Sequence, residues 1–181
     1  MKKLKRFSLI LLYTILIIAG AIFIRQYKPG TAPIITYDGS TQIKVGSSKL
    51  QVLFDDGFAS SPNSLPRSTW DRYGVSKDNL LYGNAYIKNE SSGSSLAKSK
   101  CRIFGVWFSL DDEKERGEIL VNGVNFKGCS PEEVKAHMSN YKLTSETNTI
   151  LKYKDGIYTY EFKFKDGIIN TVTIKDNTDA R

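Results

Sequence analysis

Between Thr149 and Lys175 the chain is divided by Asp155-Gly156 and Asp166-Gly167 into three short segments, Thr149–Lys154, Ile157–Lys165 and Ile168–Lys175. Asp-Gly tolerates the positive φ values that tight hairpin turns require, so this stretch predicts a three-stranded antiparallel meander. The middle segment alternates strictly. Tyr158, Tyr160, Phe162 and Phe164 fall on one face, and Thr159, Glu161, Lys163 and Lys165 on the other. A sheet of this kind is buried on one side and wet on the other, which obliges the rest of the chain to supply a cover. Ser130–Asn140 is the natural one. Ser130 stands at the N-cap, Pro131 at the first helical position and Glu133 three residues after the cap, so the spacing predicts a capped helix with Val134, His137, Met138 and Tyr141 on its apolar side.

The first half follows the same logic less clearly. Ile34–Tyr37, Gln42–Val45, Leu80–Asn89 and Cys101–Leu110 read as strands, and Asn122-Gly123 as a hairpin turn. Ser48–Phe58 carries both a strand-like and a helix-like pattern. The S-x-x-Q spacing of Ser48 and Gln51, with Gly57 as a stop, favours a helix. Ala59–Asn79 and Glu90–Lys100 read as loops, and Asp111–Gly117 as a solvated charged turn. Val45–Val52 can be laid over Lys127–Val134 without a gap, matching Gly46 with Gly128, Ser48 with Ser130, Gln51 with Glu133 and Val52 with Val134. The expected fold class is therefore α+β, two tandem helix-plus-sheet units at about 42–117 and 118–176 within an antiparallel-sheet domain preceded by a transmembrane helix.

The motif Gly128-Cys129-Ser130-Pro131-Glu132-Glu133-Val134, followed by aromatic-rich meander strands, resembles the helix-plus-sheet unit of the BamE/SmpA outer-membrane proteins and the β-lactamase inhibitory proteins. The doubled arrangement is similar to uncharacterised envelope proteins of Gram-positive bacteria. The resemblance covers roughly residues 42–175. It implies a non-catalytic binding or scaffold module and carries over no functional residues.

Phe7–Ile24 is an uncharged apolar run of eighteen residues, long enough to span a bilayer as a helix. Lys2, Lys3, Lys5 and Arg6 precede it, against Arg25 and Lys28 just after, which places the N-terminus in the cytoplasm and the rest outside. Ala19-Gly20-Ala21 fits a signal-peptidase site, but Ile22, Phe23 and Ile24 continue the run past it and favour an uncleaved anchor. The reading is a basic tag at 1–6, a transmembrane anchor at 7–24, a linker at 25–33 and an extracytoplasmic domain at 34–181. The membrane, engaged through residues 7–24, is thus one expected partner, and the chain is expected to be a single-pass protein of the cell membrane.

The net charge of +7 does not imply a nucleic-acid partner. Residues 1–30 hold six Lys/Arg and no acid, leaving 20 Lys/Arg against 19 Asp/Glu beyond them. Nucleic-acid binding needs a concentrated basic surface, and this near balance does not signal one. His137 is the only histidine, and no C-x-x-C, H-E-x-x-H, Walker A or G-x-S-x-G is present. No catalytic residue, cofactor or metal is expected. Asn89-Glu90-Ser91 fits the glycosylation sequon, which has meaning only in a eukaryotic secretory path. Cys101 and Cys129 lie in the outer domain and are either one disulfide or two small buried apolar residues; the sequence leaves both open. Within Ala59–Asn79, Leu65, Trp70 and Tyr73 are the candidate interface, because Trp and Tyr are common anchors of protein contacts. The wet sheet face carrying Thr159, Glu161, Lys163, Thr171, Thr173 and Lys175 reads as ordinary solvated surface. The expectation is a non-catalytic module that binds an envelope protein; the alternative is an enzyme or enzyme accessory acting on a wall or lipid substrate.

Overall fold

The computed structural model describes residues 30–110 and 117–178. In chain order the strands are β1 (Ile34–Tyr37), β2 (Thr41–Lys44), β3 (Ser64–Pro66), β4 (Trp70–Lys77), β5 (Leu80–Lys88), β6 (Ser95–Ala97), β7 (Arg102–Ser109), β8 (Ile119–Val121), β9 (Lys142–Thr147), β10 (Ile150–Asp155), β11 (Tyr158–Lys165) and β12 (Ile168–Asp176). The α-helices are α1 (Gln51–Asp55) and α2 (Pro131–His137). The meander forms as its alternation predicts, as β10, β11 and β12. It belongs to a seven-stranded antiparallel sheet in the order β4-β5-β7-β12-β11-β10-β9. A small sheet β2-β1-β8 and the pair β3-β6 accompany it.

The large sheet buries one face. Tyr160, Phe162, Val172, Ile174, Val106 and Ala85 are fully buried in it. The small sheet covers its first half: Tyr37 of β1 meets Tyr82 of β5 edge-on at 5.8 Å, and Phe58 wedges against both rings at 5.7 and 5.2 Å. The α2 region covers the second half through Val134 and Met138, while Phe126 stacks at a tilt on Phe162 at 5.1 Å. The cap of α2 is the predicted one. The Ser130 hydroxyl accepts from the Glu133 amide, and the Glu133 carboxylate accepts from the Ser130 amide at 2.8 Å. The Asn122-Gly123 turn also forms as read, both residues holding positive φ (51° and 81°) between bridged Val121 and Val124.

The expected α+β class of two helix-plus-sheet units is corrected. Strands hold 51% of the described residues and helices only 10%, and the two halves share one sheet. The β7–β12 ladder, from Thr171 opposite Ser109 to Lys175 opposite Gly105, joins them edge to edge. The first helix shrinks to one turn because its cap does not form. Ser48 Oγ turns back to accept the Lys44 amide at 2.9 Å, and the Gln51 side chain donates to Asp55 instead. Ala59–Asn79, read as a loop, contains β3 and β4. The expectation of a single-pass transmembrane protein is corrected as well: among the described residues no helix is long and apolar enough to cross a membrane. Phe7–Ile24, on which that expectation rests, lies outside the described residues, as do residues 111–116 of the charged turn.

Candidate functional site

The three residues singled out as interface anchors part company in the structure. Leu65 on β3 is buried and belongs to the core. Tyr73 on β4 turns inward, packing edge-on against Phe54 of α1 at 5.6 Å and donating its hydroxyl to the Ala59 carbonyl. Trp70, at the start of the same strand, points the other way and is 61% exposed. Strand alternation explains the split, since Trp70 and Tyr73 are an odd number of residues apart and so face opposite sides of the sheet.

Trp70 does not stand alone. Tyr86 of β5 and Phe104 of β7 project from the same outer face. The three rings form a triangle, with centroids 6.3 Å (Trp70–Tyr86), 6.4 Å (Trp70–Phe104) and 6.0 Å (Tyr86–Phe104) apart. They line a cleft of about 270 Å³ together with Lys88, Lys175, Asp176 and Asn177. Lys175 Nζ sits over the Tyr86 ring at 4.9 Å. Gly105 makes that approach possible: a Cβ there would lie 3.0 Å from Lys175 Cγ and 3.2 Å from Tyr86 Cδ2. A bulge between Tyr86 and Ile87 in the β5–β7 ladder re-aims the strand at this point and leaves Phe104 on the outer face.

Arg102 holds Asp176, one of the residues lining the cleft. It donates from Nε to Glu90 Oε2 at 2.7 Å, from Nη2 to Glu90 Oε1, and from Nη1 to Asp176 Oδ2 at 2.7 Å. The Glu90 hydrogen bonds outweigh burial and, with Asp176, hold the guanidinium firmly protonated. A fork gripping two carboxylates fixes orientation as well as charge, so this rim of the cleft is pre-set. Trp, Tyr, Phe and Arg on an exposed, ordered face are the composition of interface centres. The sequence carried the aromatics, but the triangle follows from strand register, so only Trp70 was singled out, as a loop residue.

A second concavity, about 660 Å³, lies at the start of the domain between Thr31, Gln42, Asn122, Tyr141 and Asp155. Its groups serve one another. Asn122 Oδ1 accepts the Ile34 amide at 2.8 Å while its Nδ2 donates to Tyr141 Oη at 3.0 Å, and Asp155 Oδ2 accepts the Thr31 amide at 2.9 Å.

The remaining sequence candidates are dispersed. Among the described residues no group of three or more His, Cys, Asp or Glu is placed to hold a metal ion. The ring of His137 packs edge-on against Phe126 at 5.6 Å. Asn89 of the sequon is fully buried, its Nδ2 donating to the Leu65 carbonyl at 2.7 Å, so it is not available for modification.

Of the two readings left open for the cysteines, the structure has both free, Cys101 buried and Cys129 half-buried. Cys101 directly precedes β7, at the Asp176 end of β12, whereas the Cys129 carbonyl accepts the Ile169 amide at the other end of that strand. The run of β12 between these ends is ~20 Å at ~3.3 Å per residue, far beyond the ~7 Å Cα limit of a bridge. Burial raises the pKa of both thiols, with nearby Lys98 partly offsetting it at Cys101 and Glu133 adding to it at Cys129. A raised pKa keeps a thiol protonated and a poor nucleophile.

No protein-family model, no curated protein and no solved structure matches the chain.

Proposed function

We propose that this domain is a non-catalytic protein-binding or scaffold module of the cell envelope, and that its contact surface is the outer face of the large sheet around Trp70, Tyr86 and Phe104. One observation carries the reading. A tryptophan 61% exposed sits on an ordered strand within an aromatic triangle beside a cleft, rather than on a loop. Leaving such a ring in water forfeits roughly 1.5–3 kcal/mol of burial that a partner would recover. The eighteen uncharged residues Phe7–Ile24, bounded by a basic N-terminus, support delivery of the domain to the outer side of the cytoplasmic membrane. The resemblance of Gly128–Val134 to BamE-like modules adds the expectation of a scaffold without catalysis.

The test is Trp70→Ala in the full-length chain, with unfolding and capture of envelope proteins measured together. The expected outcome is unchanged stability with lost capture. A stable variant that captures as before overturns the assignment of this face, and turnover of an envelope substrate by the purified protein overturns the binding-module reading.

A further inference from the structure

The sheet register aligns a row of side chains across all seven strands. Arg72 of β4 stands opposite Tyr86, and Tyr86 opposite Gly105. Gly105 stands opposite Lys175, Lys175 opposite Thr159, Thr159 opposite Lys154, and Lys154 opposite Lys142 on the far edge strand. Six strand spacings of ~4.8 Å make the row about 29 Å long. It carries four cations and no acid. Among the described residues neither Arg72 nor Lys175 has an acid within salt-bridge distance, and Lys142 and Lys154 face each other as like charges. The acids that flank the row are engaged. Glu161 is held by Lys152 at 2.7 Å and Lys163 at 3.3 Å, and Asp176 and Glu90 by Arg102. Like charges placed directly opposite one another destabilise a sheet, so the Lys142–Lys154 pair is a cost to the isolated fold.

We propose that this row and the aromatic cleft beside it together receive an acidic segment of the partner protein, which lays its carboxylates along Arg72, Lys175, Lys154 and Lys142 and inserts an apolar side chain at the Trp70–Tyr86–Phe104 triangle. The proposal rests on the protein-binding reading and adds the partner's chemistry. About nine extended residues, at ~3.3 Å each, span the row. The ring geometry favours a protein over a nucleic acid or a glycan. A stacking platform needs open ring faces. Here Tyr86 carries Lys175 on its face, and Trp70 meets its two neighbours edge-on at 61° and 86°, so the rings form no flat stacking platform and instead border a cleft that suits insertion of a side chain.

The test is fluorescence anisotropy with the full-length chain and a labelled glutamate-rich peptide bearing a Leu-Phe pair near one end, where the triangle lies along the row. Controls are the same peptide with lysine in place of glutamate, an oligothymidylate and a polygalacturonate. The expected result is saturable binding of the acidic peptide alone, weakened at least about tenfold as salt rises from low to physiological levels. Lys142→Glu, which sets an acid opposite Lys154, is expected to weaken the peptide several-fold without lowering the melting temperature. Lys163→Gln, off the row, serves as the comparison. Equal binding of the lysine peptide, or Lys142→Glu and Lys163→Gln acting alike, overturns the acidic segment. The protein-binding reading survives that outcome if Trp70→Ala still abolishes capture of envelope proteins. Tighter binding of the oligothymidylate or the polygalacturonate than of the acidic peptide also overturns it and assigns the row to that polymer.

Discussion

Tyr160 lies at the centre of the buried face, fully enclosed, and its hydroxyl has no hydrogen-bond partner among the described residues. The Asn122 amide and the Tyr141 hydroxyl that could serve it bond to each other. Burial, with Tyr141 adding to it, pushes the phenol well above its ordinary pKa, so at neutral pH the group is an uncharged hydroxyl, and Asn122 and Tyr141 stand near it outside hydrogen-bond geometry. An unsatisfied buried polar group costs about 1–3 kcal/mol. Tyr160→Phe is therefore expected to stabilise the domain by about 1 kcal/mol, read from the urea midpoint at constant slope. Asp71 is the opposite case. The Lys98 side chain, at 2.6 Å, holds its carboxyl below the usual range, against a smaller effect of burial. A folded pKa depressed below the unfolded value gives stability that is present above the ordinary carboxylate pKa of about 3.9 and is lost as pH falls through the folded value. Asp71→Asn is expected to lower stability at neutral pH and to narrow its gap from the unmodified protein below about pH 4. Because Asp71 is exposed enough for its ion pair to be screened, the neutral-pH effect is expected to be under about 1 kcal/mol.

At the scale of elements, the edge strand β9 carries the clearest conflict between fold and charge. Lys142 opposes Lys154, and every residue of the strand is exposed. Lys142→Glu converts a like-charge pair into an opposite one and is expected to raise stability by about 0.2–1 kcal/mol. A chemical denaturation curve at low salt, flattening toward the unmodified value at high salt, checks it. The same strand shows why some elements were illegible. β10, β11 and β12 could be read because one face is apolar and Asp-Gly marks each turn. β9, with sequence KLTSET, buries neither face, so no period betrays it. β4 inverts the usual signal: Trp70 faces solvent while Asp71 and Tyr73 turn inward. The capping box at Ser130 was readable because α2 has an apolar side to bury. The same spacing at Ser48 failed because the end of β2 claims the serine hydroxyl for its own turn.

At the scale of the whole molecule, register rather than composition makes the candidate site. Arg72 and Lys142 are 70 positions apart in sequence and reach one row only because β7 pairs with β12. A nearly balanced charge count could not show this. That ladder also determines how the protein unfolds. Val106, Phe108, Val172 and Ile174 on its inner side are at most 1% exposed and sit where the two halves meet. Neither half can bury them alone, so the halves are expected to unfold together. Both tryptophans, Trp70 and Trp107, lie in the first half, whereas β10 and β11 lie in the second. Tryptophan fluorescence and hydrogen exchange at the β10 and β11 amides therefore report on different halves. In an all-or-none transition the two should give one free energy. Phe108→Ala, which opens a cavity on the shared ladder, is expected to lower both by the same amount, about 3–5 kcal/mol. A variant in which fluorescence shifts while exchange at β10 and β11 keeps its original free energy would show that the halves are separate units, as the tandem reading of the sequence had it, and that the row across the sheet can part along β7–β12.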